Sequence, residues 1–413
     1  MSTVDRKYLL LALLVALSFF LRFWGIGHLQ RHFGDEAMHI PAAENYHASG
    51  HANPDHYIHP PLKYIMLQGS MRLFGNNPYG WRMRNVLLGA LTVAFLFLIG
   101  RELFSDNGAA FLAAAFLALD PMHILLSRST FDEVPAVFFS LAGLYFMIRY
   151  LKGRFTGLVL AGCFFGLAIS TKWYVVPAIP VMAGFTLWYK SGDEGWSWPR
   201  AADIAAAFFL LPLSIYLLVF FSWFERGNGL AEFVRMQVDA YREMQLVQPQ
   251  GMNKILLTSG LPWEWFARPI IFFLNLPQSD GASRYIMFIN DPPVWLLTIP
   301  AVAYFAYRAW IRSERILFAV PLMFFAVYVP LLFIKRPLFL YSAIVCIPLS
   351  FLAIAGTFMT VVGRSRYARG IYGSALAMQL LWGVYLYPLT SARPVPDWLY
   401  APLISSGNIY RPF

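Results

Sequence analysis

Gly34-Asp35-Glu36 sets two adjacent carboxylates directly behind a glycine, the pattern of a loop turning into a helix. At a first helical turn the backbone dipoles favour a negative side chain. Asp35 therefore reads either as a cap, with Glu36 a solvated neighbour, or as an ionised carboxylate available as a general base. Downstream, His59-Pro60-Pro61-Leu62-Lys63 uses two prolines to fix an extended approach to an apolar helix. It reads as a simple helix start, or as an imidazole and an ammonium held at headgroup depth, where they suit a phosphate. Seven of the eight histidines are His28, His32, His39, His47, His51, His56 and His59. Asp-Glu-x-x-His is superficially like the His-Glu-x-x-His of zinc hydrolases, but the first ligand histidine and a third ligand spacing are missing. Most of these histidines read as interfacial loop residues.

Further cations recur at the ends of apolar runs: Arg128 in Ser127-Arg128-Ser129-Thr130-Phe131-Asp132-Glu133, Lys172 before Trp173, and Lys335-Arg336 ahead of Phe339 and Tyr341. Each alone reads as a side chain snorkelling toward headgroups. Trp263, Trp265, Phe266 and Arg268 read as an amphipathic segment lying on a membrane.

The elements that position these residues follow from composition. Of 413 residues 58% are hydrophobic and 13% charged, about half the charged share of an ordinary soluble domain. That excludes a soluble globular chain and intrinsic disorder. Cys163 and Cys346 are the only cysteines and sit inside apolar runs, which excludes a disulfide framework and a cysteine zinc site. The net charge of +10 is scattered in short clusters, so the expected partner is a lipid bilayer and not nucleic acid.

A membrane span needs about twenty apolar residues, and roughly eleven segments qualify. They lie near 8–26, 85–100, 108–126, 131–149, 155–171, 173–189, 203–224, 293–311, 315–334, 338–362 and 371–388. Asp120 and Pro121 interrupt the third, and the fifth ends early at Thr171 and Lys172. The expected fold is an all-α integral membrane bundle, one multi-pass domain over 1–413. Two long extramembrane stretches, 28–84 and 225–292, are expected to carry short interfacial helices. The first helix reads as a retained anchor, because no small-residue cleavage site follows Phe20 to Gly27. The tail after Pro388, with Arg393, Pro394, Pro396, Pro402 and Pro412, reads as irregular.

Basic clusters in short loops (Arg149, Lys152, Arg154; Arg308, Arg312, Arg315; Arg364, Arg366, Arg369) place the N-terminus in the cytoplasm and both long stretches on the outer face. The spans are nearly free of charge at mid-depth. Outer helix ends instead collect Asp35, Glu36, His59, Lys63, Arg84, Asp120, Arg128, Asp132, Glu133, Lys172, Lys335 and Arg336. A transporter would set its ionisable residues near the midplane; an enzyme working at the outer interface would set them as found.

In order along the chain, these pieces resemble the protein O-mannosyltransferases, multi-spanning glycosyltransferases of the GT-C type that use a polyprenyl-phosphate-linked sugar. The resemblance runs from Arg22, closing the first helix, through Asp35-Glu36, His59-Pro60-Pro61-Leu62, Gly80-Trp81-Arg82 with Arg84, and Leu119-Asp120. It continues through Ser127-Arg128, Asp132, Gly166-Leu167-Ala168, Lys172-Trp173, Pro262-Trp263 and Arg268-Pro269 to Arg336, Phe339 and Tyr341.

The resemblance implies a GT-C bundle with Asp35 as the base that deprotonates an acceptor hydroxyl and Glu36 positioning the acceptor or the base. His59, Arg84, Arg128, Asp132, Lys172, Trp173, Arg268, Arg336 and Tyr341 would bind substrate. It further implies a polyprenyl-phosphate sugar donor, with mannose as the sugar, and a protein Ser/Thr or glycolipid acceptor. No cofactor or divalent metal would be required beyond the lipid-linked co-substrate, and the setting would be the plasma (inner) membrane of a prokaryote. The chemistry agrees: a hydroxyl is a poor nucleophile that a nearby carboxylate activates. A departing lipid phosphate gains charge that preorganised cations stabilise.

Three features depart from the family pattern. Lys63 follows His59 by four residues where the family has five, Glu133 stands beside Asp132, and 225–292 is too short for the β-trefoil (MIR) domain of eukaryotic members. Asp-Glu and Pro-Pro-Leu also occur in the lipid A aminoarabinose transferases, so transfer of another sugar to a lipid or polysaccharide is the alternative. A non-catalytic lipid or sugar carrier is the alternative of another class.

Overall fold

The computed structural model describes residues 3–49, 59–104, 107–246, 260–277, 283–334, 338–362, 365–395, 397–406 and 408–410. His51, His56, Lys335, Arg336, Arg364, Pro396 and Pro412 lie outside them. The chain runs through α1 (Thr3–Phe23), the pair α2 (Glu36–Ser49) and α3 (Leu62–Phe74), then α4 (Pro78–Phe104), α5 (Asn107–Leu119), α6 (Pro121–Ser127), α7 (Glu133–Leu151), α8 (Thr156–Ile169) and α9 (Ala178–Glu194). A π-helical stretch, Ala206–Leu210, joins α10 (Trp198–Ala205) to α11 (Leu211–Val219). After α12 (Phe221–Glu225) and α13 (Leu230–Leu246) come strands β1 (Ile271–Pro277) and β2 (Ser283–Ile289). Helices α14 (Pro292–Trp295), α15 (Thr298–Ile311), α16 (Ala319–Leu332), α17 (Ile347–Val362), α18 (Ala368–Thr390) and α19 (Asp397–Ser406) and strand β3 (Asn408–Tyr410) follow.

Helix covers every apolar segment singled out from the sequence. Among the described residues four helical stretches are long and apolar enough to cross a membrane: Pro78–Phe104, Glu133–Leu151, Trp198–Val219 and Arg315–Leu332. The bent pair α5 and α6 adds a fifth. The helical bundle carries one addition, a small sheet of order β2-β1-β3. Strand β1 pairs antiparallel with β2, Phe273 opposite Met287, and parallel with β3. Within 225–292, where short interfacial helices were expected, Ile271–Pro277 and Ser283–Ile289 are strands instead, and their alternate residues, Phe273 with Met287 and Ile289, pack beneath α18. The tail is likewise ordered as α19 and β3 where an irregular segment was expected.

The break inside the third span has a local cause. Pro121 lacks the N–H that would continue α5, and the Asp120 carboxylate accepts from the His123 backbone N–H at 2.7 Å, so a new helix starts at 60° to the old one. The last carbonyls of α5 lose their intrahelical donors. Arg22, fully enclosed at the end of α1, supplies substitutes, donating to Leu117 O at 3.1 Å and Ala118 O at 3.2 Å while also meeting His123 Nδ1 at 2.7 Å. Trp295 Nε1 donates to the other Asp120 oxygen at 2.9 Å, tying α14 to the break. The restarted α6 leads directly into Arg128–Asp132.

Close helix packing rests on small residues, as expected where lipid supplies no hydrophobic drive between helices. Gly162 and Gly166, one turn apart on α8, face the π-helical stretch and α11. A Cβ on Gly162 would overlap the Ala207 carbonyl oxygen, and one on Gly166 would stand 2.9 Å from Pro212 Cα. Both obstacles are main chain and cannot rotate away. Gly162→Leu is therefore expected to destabilise the detergent-solubilised protein by about 1–3 kcal/mol. Gly184→Leu, with nothing within 4 Å of its Cβ, should leave the thermal midpoint unchanged.

Candidate functional site

The turn carrying Asp35 is built by Arg82. Gly34 adopts φ of +54°, the left-handed conformation that suits glycine, and α2 starts immediately after Asp35. Glu36, completely buried, accepts from Arg82 Nε and Nη2, both at 2.8 Å, in a two-pronged ion pair. The remaining Arg82 donors reach the carbonyls of Ile26 at 2.6 Å, Leu29 at 2.8 Å and Arg31 at 3.2 Å. One guanidinium from α4 thus fixes the whole approach to Asp35, and Glu36 serves by anchoring that guanidinium. Phe131 lies against Gly34 from the other side, its ring 4.8 Å from that of Tyr341, which stacks on Phe339 at 5.1 Å.

Around Asp35 four connections converge. Lys63, buried on α3, donates to Asp132 Oδ2 at 2.7 Å just ahead of α7. His39, on α2, lies 3.1 Å from Lys63 Nζ through Nε2 and 3.1 Å from Thr130 O through Nδ1. Lys172, between α8 and α9, pairs with Glu133 at the start of α7. Trp173 Nε1 donates to the Tyr216 hydroxyl at 2.9 Å, which donates to Gln237 at 2.7 Å and so ties α13 to the same region. His59 is half-buried beside Lys63, Lys172 and His39.

The charges set one another. Burial and the negative charge of Glu133 raise the Asp35 carboxyl to about 7, with Asp132 adding to the rise and Lys172 and Lys63 opposing it. This outweighs the helix-dipole effect anticipated at that position. Burial works against ionisation of Asp132, yet His39, Lys63, Lys172 and Arg84 hold it well below the ordinary carboxylate range. Burial drives the His39 imidazole down to about 3 and His59 also well down. At neutral pH the cation that faces Asp132 is therefore the Lys63 ammonium; burial works against its charge, but Asp132 and Tyr64 together outweigh that cost and hold its proton more tightly.

The other expected residues are placed differently. Arg84 borders the cluster but gives its donors to Lys63 O at 2.6 Å, Thr130 O at 3.0 Å and Asn85 at 2.8 Å. Arg128 turns away from Asp35 and caps the end of α1, donating to the carbonyls of Leu21 at 3.0 Å, Arg22 at 3.1 Å and Trp24 at 2.9 Å. Arg268 is half-exposed and bonds Glu264 at 2.8 Å beside exposed Trp263. Two residues of the cluster, His39 and Glu133, were not among those singled out for substrate contact from the sequence, and Lys63 was read there only as one possible phosphate partner. The spacing of His39, one helical turn after Asp35, was the available signal.

Comparison with known proteins follows the same lines. Residues 58–219 match the family model described as dolichyl-phosphate-mannose-protein mannosyltransferase, a stretch holding His59, Lys63, Asp132, Glu133 and Lys172. The polyprenol-phosphate-mannose–protein mannosyltransferase of Corynebacterium glutamicum is 22% identical across 84% of this chain and 80% of its own length. The matched stretch is similar to the protein O-mannosyltransferase family. The fold of the whole chain agrees with that of a solved protein O-mannosyltransferase. The Pmt1–Pmt2 protein O-mannosyltransferase complex of S. cerevisiae, bound to the sugar donor, superposes with a TM-score of 0.81 at 13% identity, covering 99% of this chain and 93% of that one. ArnT from Cupriavidus metallidurans, bound to undecaprenyl phosphate, gives 0.62 at 18% identity over 93% and 65%.

The Lys63–Asp132 pair has a measurable structural role. Asp132→Asn leaves a buried ammonium without a counter-charge and is expected to cost about 3–5 kcal/mol. Replacing both partners, as Asp132→Asn with Lys63→Met, should recover part of the loss in thermal unfolding.

Proposed function

We propose that the chain transfers a mannosyl group from polyprenyl-phosphate mannose to a serine or threonine hydroxyl of a protein acceptor, with inversion, at the outer face of a prokaryotic plasma membrane. The observation that carries this reading is Asp35 itself. It is a half-buried carboxylate raised to about 7 and faced by Lys63 and Lys172, a base poised near neutrality beside cations. The acceptor oxygen attacks the anomeric carbon and its proton passes to Asp35. The bond from that carbon to the phosphate oxygen breaks, and its electron pair leaves on the polyprenyl phosphate. Lys63, Lys172 and a hydrogen bond from His59 stabilise the departing phosphate, so the reading routes no step through a metal or another cofactor. Attack from the face opposite the phosphate gives inversion.

Orientation is part of the proposal. The Asp35 cluster meets the N-terminal end of α7, while Arg149 and Lys152, gathered around Glu102, lie at the far end of the same 19-residue helix. Positive loops on that far side support a cytoplasmic N-terminus and an outer site.

Purified protein given labelled polyprenyl-phosphate mannose and a Ser/Thr peptide should glycosylate the peptide, and Asp35→Asn should lower turnover by at least about 100-fold while donor binding persists. Transfer to a glycolipid in place of the peptide would favour the aminoarabinose-transferase type of reaction, and unchanged turnover in Asp35→Asn would remove Asp35 as the base. Because the working form of Asp35 is the deprotonated one, kcat/KM should rise with pH through about 7 and then level off.

A further inference from the structure

Among the described residues, most polar groups around the site are hydrogen-bonded. Asn85 and the guanidiniums of Arg82 and Arg84 meet carbonyls or carboxylates. Glu133 differs: its side chain is completely buried, one oxygen takes Lys172, and Oε2 is sealed from solvent with no hydrogen-bond partner among the described residues. Next to it, Asp132 gives Oδ2 to Lys63 and leaves Oδ1 equally bare. The Tyr174 hydroxyl is also enclosed and unpartnered, and its ring lies 5.6 Å from the Lys172 ammonium that Glu133 holds. Buried polar atoms are almost always paired, and each one left unmade costs about 1–3 kcal/mol. Three orphaned oxygens on two neighbouring connections are the mark of a place where a ligand supplies the missing partners.

We infer that Glu133 and the Tyr174 hydroxyl, with Asp132 Oδ1 beside them, form the subsite that holds the hydroxyl groups of the donor sugar. Two carboxylate oxygens accept and a phenol can donate, which matches neighbouring hydroxyls on a hexose ring. The same carboxylates repel a phosphate, so the donor's phosphate belongs against Lys63 and Lys172 and its sugar against Glu133. The Glu133 charge also acts on both Asp35 and Tyr174, so the same carboxylate is near the base and the phenol. Glu133 is also the residue that stood apart from the family pattern in the sequence.

The inference rests on the reading of the chain as a polyprenyl-phosphate-sugar transferase, and one binding experiment separates the two. Wild-type protein, Glu133→Gln and Tyr174→Phe are each titrated in detergent with polyprenyl-phosphate mannose and with bare polyprenyl phosphate. Both variants should lose about tenfold or more in affinity for the sugar-bearing lipid, the scale of one hydrogen bond to a charged or buried group. Both should stay within about twofold of wild type for the bare lipid. Tyr174→Phe should also keep the thermal midpoint of the unliganded protein, because the hydroxyl it removes has no partner there; a lowered midpoint overturns the assignment of Tyr174. Equal losses for both lipids, or none for either, overturn the subsite while leaving the transferase reading in place. Wild-type protein that holds the mannosyl lipid no better than the bare one overturns both.

Discussion

The half of the molecule that holds Asp35 depends on a buried ammonium that must find its counter-charge. Lys63 arrives on a short helix outside the bundle and Asp132 stands at the head of a bundle helix, and only their contact makes the burial of either tolerable. Everything nearby conforms to that contact. Arg84 donates to the carbonyl of Lys63 and to that of Thr130, so it clamps the backbones of both partners, and His39 bridges from the Lys63 ammonium to Thr130. The helix that begins at Glu36 is thereby held against the one that begins at Glu133, and Asp35 occupies the gap between them.

The site's cations divide by chemistry. Guanidiniums, rigid forks with several donors, serve as construction pieces: Arg22 and Arg128 close helix ends and Arg82 and Arg84 hold loops. The lysines are compact charges, each sharing one contact with a carboxylate. A point charge that can reorient is the better companion for a phosphate that arrives and leaves. The arrangement explains why so many basic residues crowd the outer ends of spans while few of them border Asp35.

Much of this was legible in the sequence. Eleven apolar runs gave the helices, Gly34 ahead of Asp35 gave the turn, and Asp120-Pro121 marked a weak point that proved to be a bend. What stayed hidden was the fate of each guanidinium. An arginine near an interface looks the same in sequence whether a phosphate or a stray carbonyl takes its donors, and only the break after Leu119 creates the carbonyls that Arg22 satisfies. Glu133 showed itself as a departure from pattern, but its missing partner is a fact of three-dimensional enclosure that spacing does not encode. The small sheet was obscured because a strand such as Ile271–Pro277 is as apolar as a membrane-seeking segment.

Arg82 holds the chain before Asp35 through the main-chain oxygens of residues 26, 29 and 31, which any amino acid would present. Ile26 and Leu29 pack into the core, whereas the side chains of His28, Gln30 and Arg31 are exposed and take no part in this grip. Substitution at those three positions changes the surface beside Asp35 without disturbing the contacts that hold its backbone.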